Sequence, residues 1–295
     1  EDSDHVRISG NKVTDSVLNG IYIEDSNYNT IEDNTFTGSE DKGVYVFRSD
    51  NNEIDNNTIS DNDEYGIELY QSESNVLSNN TIKDTGENGI GVYLDDSDSN
   101  TISNNNIIKI DDYDIDDVVG IRLSGSDSNT ISNNTVKGDF TISSGSGIEL
   151  SSSDGNTISN NIVKETSFGI TVGGVGNTVS NNIVEDNMDN GISISGTSNT
   201  IRNNIIDSNG VIGIRINSGG HTVIGNTISS NMYGGISVYS DSNTISNNII
   251  KNNENDGIYL SSSDSNTISN NTIVHDSDIW SYPRVITYLS IFFNN

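Results

Sequence analysis

The stretch Ser265-Asn266-Thr267-Ile268-Ser269-Asn270-Asn271 decides the fold, because near-copies of it begin at Ser99, Ser128, Ser198 and Ser242. Aligned on the slot of its first Asn, the chain of 295 residues holds twelve repeats, at intervals of 21 to 29 residues. The aligned slots are positions 6, 29, 52, 75, 100, 129, 156, 177, 199, 221, 243 and 266. A repeat of about 20 to 50 residues in which apolar and polar residues alternate is typical of a solenoid built from strands.

Most repeats carry a second phrase, Gly-Ile-x-Ile, usually 14 residues after the aligned slot, as in Gly66-Ile67-Glu68-Leu69. Alternate residues of a strand face opposite sides, so the aliphatic residues point inward and x points outward. No single repeat can bury its apolar residues until the next one stacks on it. The sequence therefore predicts an all-β parallel β-helix over residues 1–275, with about twelve rungs, a rung being one turn of the solenoid.

A column of asparagines runs through the repeats, because the residue five positions after the aligned slot is Asn in all twelve. Stacked about 4.8 Å apart, these side-chain amides can hydrogen-bond in a ladder along the axis. The residue before each of them is Asn, Asp or Gly, the types that tolerate a left-handed backbone. We therefore expect an internal Asn ladder that fixes the register of the rungs. Its central members are Asn57, Asn80, Asn105, Asn134, Asn161, Asn182 and Asn204.

The Asn-Thr-Ile-Ser-Asn-Asn and Gly-Ile-x-Ile phrases resemble the repeat of right-handed parallel β-helix proteins, such as pectate-lyase-like, NosD-like, carbohydrate-binding and sugar-hydrolase proteins. The resemblance covers residues 5 to about 275. It implies a right-handed single-stranded parallel β-helix and an extracellular or cell-surface location. It implies little about chemistry, because one fold carries many functions.

The composition excludes several classes of partner. With 43 acidic and 13 basic residues the net charge is −30, which repels nucleic acid and anionic membranes. No run of 18 apolar residues exists, so membrane insertion is not expected. Without Cys, and with only two Met and the scattered His5, His221 and His275, the chain lacks the ligand cluster of a copper or zinc site.

The outward positions of the Gly-Ile-x-Ile strands collect aromatic residues in the first repeats. Rings beside carboxylates and arginine suit the stacking of sugar rings and hydrogen bonding to their hydroxyls, so a surface polysaccharide is a candidate partner. The alternative is ordinary cross-strand packing, because tyrosine favours a pleated surface. The candidate ligand-binding residues are Tyr22, Tyr45, Phe47, Tyr70 and Tyr93.

Insertions lengthen three consecutive repeats at one corner, within residues 83–88, 109–119 and 138–146. The middle insertion carries five carboxylates, which makes Ca²⁺ the candidate cofactor. The alternative is a solvated acidic loop, because the spacing lacks the glycine and terminal glutamate of an EF-hand. The candidate metal ligands are Asp111, Asp112, Asp114, Asp116 and Asp117.

A second acidic feature lies two residues before the aligned slot. Like charges stacked about 5 Å apart repel by about 0.8 kcal/mol per pair even in bulk water, and bound calcium would reverse that cost. The alternative is a turn that favours Asp for its backbone hydrogen bonds, with the charge screened by salt. The consecutive members of this acidic column are Asp50, Glu73, Asp98, Asp127 and Asp154.

No motif in the sequence fixes a catalytic geometry. If the protein is a polysaccharide lyase or hydrolase, its candidate catalytic residues are the outward-facing Glu68, Asp95, Arg122 and Glu149 near the insertions. The regularity of the repeats instead favours a non-enzymatic structural solenoid, with a carbohydrate-binding module as a further alternative. Glycosylation is left open by sequons at Asn56, Asn79, Asn133 and Asn270.

Residues 276–295 depart from the repeat and hold the only Trp and the only Pro of the chain, Trp280 and Pro283. A solenoid exposes unpaired strand edges at its ends. We therefore expect this segment either to cap the last rung of its own chain or to dock on another copy. Docking would build filaments or arrays by end-to-end stacking.

Overall fold

The computed structural model describes residues 3–83, 86, 89–108, 118–139 and 145–274, and the backbone of residues 280–281 and 289–293. Every regular element in these residues is a β-strand. Each strand pairs in parallel with its counterparts one rung away, so the chain winds as a parallel β-helix of about eleven complete turns. In the described part of the chain, no helix is long and apolar enough to cross a membrane.

Each rung contributes one strand to each of three parallel sheets. Sheet 1, after the aligned slot, contains Arg7–Ser9, Thr30–Glu32, Glu53–Asp55, Val76–Ser78, Thr101–Ser103, Thr130–Ser132, Thr157–Ser159, Thr178–Ser180, Thr200–Arg202, Thr222–Ile224 and Thr244–Ser246. Sheet 2, after the Asn column, contains Lys12–Thr14, Thr35–Thr37, Thr58–Ser60, Thr81–Lys83, Asn106–Ile108, Thr135–Lys137, Ile162–Lys164, Ile183–Glu185, Ile205–Asp207, Thr227–Ser229, Ile249–Lys251 and Leu289–Phe293. The long strand Thr267–Val274 belongs to both of these sheets, and Leu289–Phe293 pairs with both parts of it. Sheet 3 contains Ile21–Glu24, Val44–Phe47, Tyr65–Tyr70, Ile90–Asp95, Val119–Ser124, Ser146–Ser151, Phe168–Val172, Ile192–Ile194, Ile212–Ile216, Gly234–Val238, Ile258–Leu260 and Trp280–Ser281.

The corner between sheets 1 and 2 uses the left-handed backbone that the sequence predicts. The residue before each ladder Asn has a positive φ, from 52° at Asn56 to 70° at Gly225. The four sequon asparagines are exposed members of this corner column. Asn, Asp and Gly are selected there because other side chains clash in this conformation.

The predicted Asn ladder is confirmed from Asn11 to Asn271. Each amide nitrogen donates to the amide oxygen one rung on, at 2.9–3.1 Å. The same oxygen also accepts the backbone N–H of the preceding Asn, as in Asn80 N to Asn105 Oδ1 at 2.9 Å. The ladder therefore pairs buried polar atoms that would otherwise destabilise the corner.

The aligned slot forms a second ladder. From Asn29 onward, each side chain accepts the backbone N–H of the residue one rung before it. His221 occupies this slot once, and its Nδ1 accepts from the Asn199 N–H at 3.1 Å. A serine column does the same beside sheet 3, comprising Ser49, Ser72, Ser97, Ser126 and Ser153.

Stacked aliphatic residues fill the interior. Ile54, Ile59 and Ile67 represent the three sheets in one rung, and all three are fully buried. Close packing explains why the Gly-Ile-x-Ile phrase begins with glycine. A Cβ atom at Gly91 would lie 2.6 Å from the Gly120 carbonyl oxygen and 2.7 Å from the Ile107 Cγ2. Glycine is needed because the sheet 3 backbone approaches the core so closely there.

The acidic column has a structural role of its own. Asp98 Oδ1 accepts the Asp127 N–H, and Asp127 Oδ1 accepts the Asp154 N–H, both at 2.7 Å. Asp50 Oδ1 accepts the Glu73 N–H in the same way. In each of these bonds an Asp carboxylate oxygen accepts a backbone N–H of the next rung. This agrees with the alternative in which the turn selects Asp for its hydrogen bonds to the backbone.

The C-terminal segment continues the parallel pairing where its backbone is described. Trp280–Ser281 pairs with Ile258–Leu260 in sheet 3, and Leu289–Phe293 pairs with Thr267–Val274. The other residues of 276–295 lie outside the described part. The boundary at residue 275 and the capping or assembly role of the segment stay predictions.

Candidate functional site

The outer face of sheet 3 differs from the other two faces in its aromatic content. Eight of the nine described tyrosines lie in a sheet 3 strand or within one residue of one: Tyr22, Tyr45, Tyr65, Tyr70, Tyr93, Tyr233, Tyr239 and Tyr259. Between residues 7 and 274, the strands of sheets 1 and 2 hold one aromatic residue, Phe36, and it is buried in the core. Sheet 3 is therefore the face on which to look for a function.

The first rings form a column of their own. Tyr22 and Tyr45 stack with centroids 5.1 Å apart, and Phe47 and Tyr70 stack at 5.4 Å with planes 8° apart. Each ring covers a face of its neighbour, which is the cross-strand packing left as an alternative. Tyr22, at the end of this column, is 47% exposed. A ligand-binding role for these residues stays a prediction.

Next to this column lies a group that we call the Lys42 cluster, made of Lys42, Tyr45, Tyr65, Glu68 and Tyr93. The Lys42 ammonium lies 3.4 Å from a Glu68 carboxylate oxygen, and 5.0 and 5.4 Å from the ring centroids of Tyr45 and Tyr65. Tyr65 and Tyr93 meet edge to face with centroids 5.4 Å apart. In the strand register Glu68 sits between Tyr45 and Tyr93, so the cluster is continuous across three strands.

The electrostatics of the cluster follow from its burial. Burial raises the pKa of Glu68 to about 6, although the Lys42 charge opposes this shift. Burial also raises the pKa of Tyr45, to about 12. For Lys42, burial lowers the pKa, but a hydrogen bond to Asp41 and the nearby carboxylates outweigh burial, so the net pKa is raised. At neutral pH the cluster therefore presents a fixed cation and phenol donors.

This chemistry suits binding better than proton transfer. Glu68 is the group of the cluster that titrates near neutrality, but the residue is only 8% exposed. Its carboxylate is also held in an ion pair with Lys42 at 3.4 Å. A general base must lie within hydrogen-bonding reach of the proton it removes. The Tyr65 and Tyr93 side chains, each half-buried, are more accessible.

The other candidate catalytic residues continue the same face, and Asp95 is close enough to Glu68 for its charge to add to the burial that raises the Glu68 pKa. Arg122 Nη2 lies 3.1 Å from a Glu149 carboxylate oxygen. Glu68 and Glu149 are three strands apart in one column, about 14 Å at 4.8 Å per strand, whereas the carboxylates of glycoside hydrolases lie about 5 to 9.5 Å apart. Burial raises the pKa of Asp95, which hydrogen-bonds to Ser124 and Tyr93. Catalytic roles for these four residues stay predictions.

Sequence reasoning missed Lys42 and Tyr65. Both occupy the position directly before the Gly of Gly-Ile-x-Ile, where the strand is only beginning: Lys42 precedes Val44–Phe47, and Tyr65 is the first residue of Tyr65–Tyr70. Strand alternation therefore gives no firm direction for either side chain. A signal was available, since Lys42 is one of only 13 basic residues and stands beside Asp41. An isolated cation in so acidic a chain is a candidate for a specific ion pair.

The described residues do not support a metal centre. They contain no group of three or more His, Asp or Glu side chains arranged to hold an ion. His5 stacks on Tyr28, and both ring nitrogens of His221 are engaged, by the Asn199 N–H and by Ser218 Oγ. Met188 and Met232 are exposed residues 44 positions apart. The calcium candidates Asp111, Asp112, Asp114, Asp116 and Asp117 lie outside the described residues.

Two family models match the chain. Residues 108–248 and 168–282 match the family described as "Right handed beta helix region". Residues 1–112 match the family described as "Periplasmic copper-binding protein (NosD)", although the described residues do not fit a copper site. No curated protein matches the sequence.

Solved structures of similar shape include polysaccharide enzymes. The mannuronan C-5 epimerase AlgE4 A-module of Azotobacter vinelandii has a TM-score of 0.67 at 13% identity, covering 99% of this chain and 91% of that one. A mannuronic acid specific polysaccharide family 6 lyase from human gut microbiota has a TM-score of 0.62 at 11% identity, covering 93% of this chain and 77% of that one. The alginate lyase AlyF-OU02 has a TM-score of 0.61 at 15% identity, covering 97% of this chain and 84% of that one. At such identities the likeness establishes the fold alone.

Proposed function

Because this chain belongs to the family of right-handed β-helix proteins, we propose that it is a polysaccharide-binding solenoid whose ligand lies along the outer face of sheet 3. The observation that carries the proposal is the concentration of eight of the nine described tyrosines on that face. Tyrosine offers an apolar ring to the C–H face of a sugar and a hydroxyl to its polar edge. The similar epimerase and lyases act on polysaccharides by their names, which supports this class of ligand.

Charge favours a neutral polysaccharide. Around the Lys42 cluster there are two cations, Lys42 and Arg122, and five carboxylates, those of Asp41, Glu64, Glu68, Asp95 and Glu149. Both cations already form ion pairs, and the whole chain carries a net charge of −30. An anionic polyuronate would add like charges to an acidic face, so we expect it to bind only when a divalent cation screens the repulsion.

The test is binding to soluble polysaccharides. We expect the protein to be retarded in native gels that contain hydroxyethylcellulose or galactomannan, and to be retarded by alginate only with Ca²⁺ present. Tyr93→Ala is expected to weaken binding about tenfold, or about 1.4 kcal/mol. Thr130→Ala, on the outer face of sheet 1, serves as the matched control and should bind normally. Absence of retardation by all three polymers would refute the proposal.

The enzyme hypothesis is the second candidate, because acidic and basic side chains share the face with the tyrosines. Glu68→Gln and Arg122→Ala would then abolish depolymerisation or epimerisation, measured by reducing ends and by NMR of the product. The third candidate, an assembling structural solenoid, is supported by the unbroken Asn ladder. Light scattering distinguishes it, because a protein that stays monomeric at high concentration does not stack. We place the protein outside the cytoplasmic membrane, which the description of the NosD family as periplasmic supports.

A further inference from the structure

A tyrosine-lined pocket lies on the same face of sheet 3, far along the axis from the Lys42 cluster. This pocket, which we call the Tyr233 pocket, has a volume of about 200 Å³ and is lined by Tyr233, Gly234, Ser237, Tyr239, Asp256 and Tyr259. Tyr233 is 61% exposed and Tyr239 is 36% exposed. Large exposed aromatic side chains that converge on one hollow are a typical feature of ligand sites.

The rings of this pocket are arranged differently from those of the Tyr22 column. Tyr239 and Tyr259 meet at 62° with centroids 6.1 Å apart, so they form two walls of a corner instead of a closed stack. Asp256 and Ser237 add oxygen atoms to the same hollow. A pyranose ring matches this combination, because its C–H face packs on an aromatic wall while its hydroxyls donate to a carboxylate.

A quaternary ammonium group would also suit tyrosines beside a carboxylate. The structure favours a sugar, because a cation is already present at one wall. The Arg215 guanidinium lies 5.0 Å from the Tyr239 ring centroid and is oriented by a hydrogen bond from its Nε to Asn217 Oδ1 at 3.0 Å. A second cation against this wall would be repelled by the first.

The two tyrosine groups are aligned along the axis. Six strand spacings of sheet 3 separate Ile90–Asp95 from Gly234–Val238, which is about 29 Å at 4.8 Å per strand. The outward column between them carries the charged Arg122, Glu149 and Arg215 and the small hydroxyl residues Thr171 and Ser193. No aromatic residue interrupts this column between Tyr93 and Tyr259 in the described residues.

We propose that the Tyr233 pocket is a second sugar subsite, and that one extended neutral polysaccharide contacts both it and the Lys42 cluster. This inference rests on the proposed function. An extended pyranose unit is about as long as one rung is high, about 5 Å, so about six or seven units span the two sites. A polymer then gains affinity from two linked contacts, whereas a trisaccharide reaches only one.

The experiment compares chain lengths across four proteins: wild type, Tyr233→Ala, Tyr93→Ala and the double variant. Calorimetry uses whichever of the two neutral polymers, hydroxyethylcellulose or galactomannan, binds more tightly, and a trisaccharide of the same backbone. Each single variant keeps one intact contact, so it is expected to weaken polymer binding about tenfold or more, towards the level of the trisaccharide on wild type, and the double variant is expected to fall below that level. Tyr233 is largely exposed, so its truncation should leave the fold intact, and circular dichroism checks this. Tyr239→Ala serves as a second variant of the same pocket.

The outcomes separate the two proposals. If the polymer binds and Tyr93→Ala weakens it while Tyr233→Ala and Tyr239→Ala do not, the second subsite is refuted and the proposed function stands. If no polymer binds, both are refuted. If choline chloride shifts the NMR signals of the Tyr233 pocket and the trisaccharide does not, the pocket is a cation site and the sugar assignment is wrong.

Discussion

Removing one amide from the Asn ladder is the sharpest test of what holds the rungs in register. We choose Asn105→Ala, because Asn105 is 2% exposed and lies in the middle of the ladder. Its neighbour Asn106 lies in a sheet 2 strand with its side chain on the outer face. Asn106→Ala removes the same atoms one position along, so it is the matched control.

The magnitude follows from the bonds that disappear. Asn105 Oδ1 accepts from both the backbone N–H and the side-chain amide of Asn80, at 2.9 and 3.0 Å. Its Nδ2 donates to the Leu77 carbonyl at 2.9 Å and to Asn134 Oδ1 at 3.0 Å. The Asn80 side chain keeps a second acceptor, the Ile54 carbonyl, but the buried Asn80 backbone N–H loses its partner. We expect a cost of about 3 to 5 kcal/mol, against about 0.5 kcal/mol or less for Asn106→Ala.

The assay combines urea unfolding with amide hydrogen exchange. Repeat proteins can open rung by rung, so exchange at the Asn80 N–H reports on the local effect where the global transition averages over the solenoid. We expect faster exchange at Asn80 in Asn105→Ala and unchanged exchange in Asn106→Ala. Equal unfolding midpoints for the two variants would show that the ladder follows from the strand stacking and does not stabilise it.

Three further predictions concern ionisable residues. Burial lowers the pKa of His221 below its ordinary 6.5, so the stability due to the neutral ring is present above pH 6.5 and is lost as the pH falls below that value. His221→Asn should remove this acid sensitivity, as measured by melting temperatures between pH 4.5 and 7.5. Burial raises the pKa of Glu68 from 4.5 to about 6, so the stability linked to its protonated form is present below pH 4.5 and is lost as the pH rises through 6. The free energy of unfolding of Glu68→Gln, measured in urea, should therefore rise by about 2 kcal/mol relative to that of wild type between pH 4.5 and 7. Asp127→Asn keeps the acceptor for the Asp154 N–H and should leave the melting temperature unchanged, whereas Asp127→Ala should lose about 1 kcal/mol.

The sequence was sufficient for the architecture because each structural position is repeated many times. Asn at one slot in twelve repeats has few explanations other than a buried ladder, and the preceding Asn, Asp or Gly matches the positive φ at that corner. The Gly of Gly-Ile-x-Ile lies within or directly before a sheet 3 strand, in agreement with the strand that the alternation predicts there. Its reason, the contact of Gly91 with the Gly120 carbonyl, depends on the distance between rungs, which a one-dimensional pattern does not contain.

The candidate site was predictable only in part. Strand alternation places Tyr22, Tyr45 and Tyr93 on the outer face, but it does not show that Tyr22 and Tyr45 cover each other at 5.1 Å. It also gives no orientation for corner residues, so Lys42 and the exposed Tyr233 went unnoticed. Both lie just outside the regular strands, where the side-chain direction depends on the bend of the backbone.

The two kinds of position explain why function is expected on sheet 3. The Asn column and its parallel ladder fix the register through side chains that point inward, so the outward residues of all three sheets are free to vary without loss of the fold. Most outward positions of sheets 1 and 2 hold threonine or serine, which suit a solvated pleated surface. Sheet 3 instead carries exposed rings such as Tyr233, whose apolar surface is costly to leave in water. The alignment of these rings on one face of the scaffold is the basis of the proposed polysaccharide-binding function.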